Sequence, residues 1–126
     1  MSASTPSTEF TFSKTEVEGA TLLTLSGELD IAAAPAFITD LRGVLSQGRG
    51  PVILDVTALD YVDSSGLGVL ASTAGALKKT GRKLVAFGCH GIFQRVLQLS
   101  QLDRELACFA TLEEALRHTS ATTASR

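Results

Sequence analysis

The sequence predicts a single α/β domain with a mostly parallel sheet, an antiparallel strand pair at its N-terminal side and about four helices. Three observations predict it. Strand-like and amphipathic segments follow one another as β β α β α β α β α, the pattern of parallel strands joined by helical crossovers. The run Val52-Ile-Leu-Asp-Val56 is almost wholly apolar, as a strand covered on both faces must be. The chain has 126 residues, 44% hydrophobic and 19% charged, enough for one core and too apolar for a disordered chain.

The elements follow in order. Phe10–Phe12 and Thr21–Ser26 read as strands with a turn at Val17–Gly19 between them. Pro35 suits the first turn of a helix, where its missing N–H costs nothing, and Phe37, Ile38, Leu41, Val44 and Leu45 share one face. Gly48 and Gly50 end that helix, and the buried strand follows Pro51. A long loop then leads to a helix near Ser64 whose inner stripe is Leu67, Leu70, Ala71, Ala74 and Leu77. Lys78 and Lys79 complement the negative end of its dipole, and Gly81 is the expected C′ residue. Leu84–Phe87 is the next strand, Ile92, Phe93, Val96 and Leu97 mark a third helix, and Leu106–Phe109 a further strand. Thr111 with Glu114 forms a capping box that opens a last helix through Leu116.

Both ends are rich in Ser and Thr, which predicts a folded domain over residues 9–118 between flexible tails, 1–8 and 119–126. No leader-like or membrane-length apolar run occurs, so a soluble, cytoplasmic protein is expected. Cys89 and Cys108 lack metal-site spacing and scaffold density, which predicts reduced thiols and neither a metal site nor a disulfide framework; no cofactor is expected either. The net charge of −2 argues against a direct nucleic-acid partner. That figure hides a segregation. Residues 1–63 hold nine acids and three bases, so −6, whereas residues 64–102 hold five bases and no acid, so +5.

The most informative stretch is Asp63-Ser-Ser-Gly-Leu-Gly68 at the start of the second helix. Asp63 or Ser64 can cap that helix, and capping alone accounts for both residue types. It does not account for Gly66 and Gly68, each of which costs roughly 1 kcal/mol relative to Ala in a helix; close approach by another molecule is the expectation. A phosphate on Ser64 would meet free N–H groups and the positive end of a dipole. It would also add about −1.5 to −2 charges beside Asp63 and near Asp60.

At these residues the chain resembles the STAS domains of the bacterial anti-sigma factor antagonist family. The resemblance rests on Asp63-Ser-Ser-Gly-Leu-Gly68, on Leu25-Ser-Gly-Glu-Leu-Asp30 and on Leu97-Gln-Leu-Ser-Gln-Leu-Asp103, and it spans roughly residues 9–118. It implies a STAS-type fold and a non-enzymatic switch. Ser64, directly after the Asp, would be the phosphorylated serine, and Asp30, Asp63, Ser65, Gly66, Leu67 and Gly68 would form the partner-binding surface. The implied partners are an anti-sigma factor that is also an ATP-dependent serine kinase, and a PP2C-like phosphatase. Gln101 departs from the pattern, since many relatives have glycine there.

Other chemistries fit less well. Gly66-x-Gly68-x-x-Ala71 matches the dinucleotide fingerprint, but no acid lies between Ser64 and Leu102 to hold a ribose, and no Walker Gly-Lys-Ser/Thr exists. Asp55 at a strand end invites a phospho-aspartate receiver reading, yet Phe109-Ala-Thr, without a Lys, follows the late strand. Asp55 is expected to cap the following loop instead. Cys89 and His90 are neighbours on a turn and are not expected to face each other as a catalytic pair. The remaining alternative is a scaffold or sensor STAS domain in a larger signalling complex, with or without a small ligand.

Overall fold

The computed structural model describes residues 9–124. Strands β1 (Thr11–Val17) and β2 (Ala20–Leu29) form the antiparallel pair. Glu18 and Gly19, the two residues between them, both take positive φ, as a two-residue hairpin of primed type requires. There follow α1 (Ala34–Gln47), β3 (Val52–Val62), α2 (Ser64–Lys79), β4 (Leu84–Phe87), α3 (Gly91–Ser100), β5 (Ala107–Phe109) and α4 (Leu112–Ala124), with a 3₁₀ turn at Leu102–Arg104. The sheet order is β1-β2-β3-β4-β5, and every pair after the first is parallel. This is the expected α/β architecture with four helices.

The two sheet faces are covered unequally. Leu23, Leu25 and Leu29 of β2 and Leu54 and Val56 of β3 meet Phe37, Leu70, Leu77, Phe93 and Leu97 of α1, α2 and α3 in the main core. Phe10 and Phe12 close it edge-on against Phe37, with ring centroids 5.1 and 5.3 Å away. The other face is covered by α4, which packs Ala115, Leu112 and Leu116 over Ile53 and Val85. Burying an aliphatic side chain of this kind contributes about 1.5–3 kcal/mol, so the three-helix face carries most of the stability.

Several expectations are corrected. The long loop before Ser64 is strand: β3 continues to Val62, paired with β2 through two register shifts. Those irregularities turn Leu59 and Val62 inward out of the two-residue period, which is why alternation failed to reveal them. Ala71 is exposed, whereas Val69 and Thr73 are buried. The last helix runs through Ala124, and Thr119 is 4% exposed with its hydroxyl donating to the Leu116 carbonyl. The flexible tail predicted at 1–8 lies outside the described residues.

Cys89 and Cys108 are joined in a disulfide rather than held as reduced thiols. Parallel pairing of β4 with β5 sets Cys108 beside Ala86, on the side where Cys89 leaves β4. The two lie nineteen positions apart in sequence, a distance that spacing rules do not flag.

Candidate functional site

The site is built where β2 and β3 end together. Their register pairs Leu29 with Val62, so Asp30 and Asp63 leave the sheet side by side. Each carboxylate then accepts backbone N–H groups. Asp30 Oδ1 accepts from Ala32 (3.1 Å) and Ala33 (3.0 Å) and shapes the entry to α1, whose own N-cap, Ala33, has no side-chain acceptor. Asp63 caps α2 by accepting from Gly66 N through Oδ1 at 3.0 Å, while Oδ2 accepts from Ile31 N at 3.0 Å. One side chain thereby ties the β2–α1 loop to the start of α2.

Ser64 is the first residue of α2 and is exposed; Ser65 is half-buried. Ile31, 72% exposed, lies in the loop held by Asp63, the residue before Ser64. A groove of about 410 Å³ opens on the other flank, between Ser64, Leu67 and Gly68 on one wall and Ser100, Gln101 and Leu102 on the other. Leu99 on α3 is 77% exposed. A hydroxyl at a helix N-terminus is thus flanked by apolar surface, a composition suited to a protein partner.

The two glycines have different reasons. A Cβ on Gly66 would run into the Leu29 carbonyl and Val62 Cγ2, so here the close approach is made by the chain itself and not by another molecule. Gly66 is buried and sets how tightly α2 seats on the sheet. A Cβ on Gly68 would meet nothing within 4 Å. Gln101 adopts the left-handed conformation at the end of α3, φ 63°, a geometry that favours glycine and costs an L-residue about 1–2 kcal/mol.

The other predicted residues behave as follows. Asp55 accepts from Thr57 N at 3.0 Å, the expected loop cap. His90 Nε2 lies 2.8 Å from the Thr57 carbonyl, and Cys89 is bonded to Cys108, so the two form no catalytic pair. Among the described residues no group of His, Cys, Asp and Glu is arranged to hold a metal ion, and no helix is long and apolar enough to cross a membrane. Ile31 and Leu99 went unnoticed in the sequence. The one available signal was apolar character where polarity is expected, directly after Asp30 for Ile31 and off the buried stripe of α3 for Leu99.

Comparison with known proteins bears on this site. The STAS domain model matches residues 11–115. The anti-sigma-F factor antagonist RsfB of Mycobacterium tuberculosis is 30% identical over 101 residues, covering 78% of this chain and 80% of RsfB. The chain belongs to the STAS domain family of anti-sigma factor antagonists. Among solved structures, an anti-sigma factor antagonist from Mycobacterium paratuberculosis superposes on this STAS domain with a TM-score of 0.77 at 29% identity, covering 93% of this chain and 98% of that one. The Thermotoga maritima protein TM1081 has the same fold, with a TM-score of 0.81 at 24% identity over 86% of this chain and 94% of its own.

Proposed function

We propose that this STAS domain is a cytoplasmic anti-sigma factor antagonist that works by partner switching and catalyses no reaction itself. In its unphosphorylated form it binds an anti-sigma factor that is also an ATP-dependent serine kinase, and a sigma factor is freed. The kinase phosphorylates Ser64, the complex dissociates, and a PP2C-like phosphatase resets the protein. The observation that carries this reading is the exposed Ser64 at the Asp63-capped start of α2, flanked by Ile31 and an apolar groove.

The physics of the switch follows from that placement. A phosphate on Ser64 would bring about −1.5 to −2 charges next to Asp63 and Asp30. Its oxygens would compete with the Asp63 carboxylate for the N–H groups at the helix start. Both effects act on the surface that Ile31 and Leu67 present, so a partner that covers these apolar groups would be repelled. Incubation with the cognate kinase and ATP, followed by mass-spectrometric mapping, tests the assignment. Stoichiometric phosphate on Ser64 is expected; phosphate on Ser65 or elsewhere overturns it.

A further inference from the structure

We propose that the groove between α1 and α2 binds an amphiphilic carboxylate, a fatty acid of medium chain length. The groove encloses about 710 Å³, within the roughly 300–1,000 Å³ of small-molecule sites. Ile38 and Leu45 of α1 form one wall, and Gly68, Ser72 and Ala76 of α2 form the floor. Ile38 and Leu45 pack only partly against the main core and leave apolar surface facing the groove.

Gly68, like Gly43 of α1 and Gly75 of α2, is a helical glycine that internal packing does not demand, and of the three it is the one that lines the groove. It lacks the backbone neighbour that demands glycine at position 66, and the space above it is open. Glycine is unfavourable in a helix relative to Ala. A ligand lying on the bare backbone at this point makes use of the missing side chain.

The charge pattern identifies the head group. Arg42 is the one charged residue lining the groove, it is exposed, and it has no ion pair among the described residues. Among the described residues no acid lines the groove, so an anion is favoured and a cation is not. Along α1 the groove extends from Ala34 to Leu45, about 16 Å at the helical rise, the reach of an extended dodecanoate. A single guanidinium near one end of an elongated apolar slot fits a ligand with one carboxylate and a uniform tail.

The test is a titration of the full chain with dodecanoate below its micelle concentration, followed by amide chemical shifts, with dodecanol and dodecyltrimethylammonium as controls. Saturable shifts confined to α1, α2 and the Ile31 loop that leads into α1 are expected, with dodecanoate the tightest of the three. Arg42→Gln should weaken dodecanoate roughly tenfold, as loss of one charge-assisted contact does, and leave dodecanol unchanged. Ser72→Leu and Ala76→Leu, both at exposed positions, should each fill the floor and abolish binding while keeping the native melt. No saturable binding, shifts mapping away from α1, α2 and the Ile31 loop, equal binding of the cationic amphiphile, or indifference to Arg42→Gln would each overturn the proposal. No partner protein enters the assay, so its outcome is independent of the switch at Ser64.

Discussion

The two ends of α2 solve the same problem with opposite charges. At its start, Asp63 accepts from Gly66 N and from Ile31 N, and so joins the helix to the loop after β2. Past its end, Arg82 donates from Nε to the Gly50 carbonyl and from Nη1 to the Leu45 carbonyl, each at 2.8 Å, and so joins the turn after α2 to the end of α1. Asp63 meets a free N–H at the start of α2, and Arg82 a free carbonyl in the last turn of α1, the groups that helix termini leave unpaired. The difference lies in what each joint presents. Arg82 is partly buried and fastens backbone to backbone, whereas Asp63 holds Ser64 and Ile31 at the surface. One joint serves the fold alone, and the other serves the fold and a surface.

That contrast can be broken in several ways. The largest effect on stability should come from the disulfide, which ties the loop after β4 to β5. Closing a loop of this length stabilises by about 3 kcal/mol, so reduction, or Cys108→Ser, should lower the unfolding free energy by that amount in urea titrations. An unchanged midpoint would show that the bond does not constrain the unfolded chain.

Close behind come the two joints themselves. Arg82→Ala and Asp63→Ala each strand two backbone groups and should each cost about 2 kcal/mol. Their effects on partner binding should differ: Asp63→Ala releases Ile31 and weakens binding of the anti-sigma factor, whereas Arg82→Ala leaves it intact once folding is corrected for. Equal losses of binding would erase the distinction drawn between the two ends.

The two glycines give a smaller version of the same comparison. Gly66→Ala must push α2 away from the Leu29 carbonyl and should destabilise by about 1–3 kcal/mol. Gly68→Ala should stabilise by up to about 1 kcal/mol, since its Cβ enters open space and the helix gains propensity. Thermal melts of the pair distinguish them, and a destabilised Gly68→Ala would mean that position 68 is packed after all.

Much of this was legible in the sequence because it depends on local chemistry. The order of elements, the N-terminal hairpin and the Gly81 C′ position follow from periodicity and turn residues, and Gly81 N and Arg82 N do bond back to Lys78 and Leu77. The capping pair at α4 also formed, with Glu114 N donating to Thr111 Oγ1, although the Glu114 carboxylate accepts from Ala110 N. The length of β3 was not legible, since its second half obeys register shifts against β2 and not a period of its own. Neither was the disulfide, which depends on how β4 and β5 pair.

At the site, Asp63, Ser64 and Gly66 stood out as a motif, but their tasks did not. That Asp63 reaches Ile31, and that Gly66 answers to Leu29, are contacts between segments more than thirty residues apart. Gln101 shows the converse. A glycine was the expected residue at that turn, and the chain keeps the left-handed geometry without it.

The most direct test of the switch is the affinity of the cognate anti-sigma factor for three forms of the protein: Ser64→Ala, wild type and wild type phosphorylated on Ser64. Tight binding is expected for Ser64→Ala and for the unmodified protein, with a loss of at least about a hundredfold on phosphorylation, the equivalent of roughly 2.7 kcal/mol. Equal affinity for all three forms would contradict the account, because the charge placed at the start of α2 would then not govern the partner.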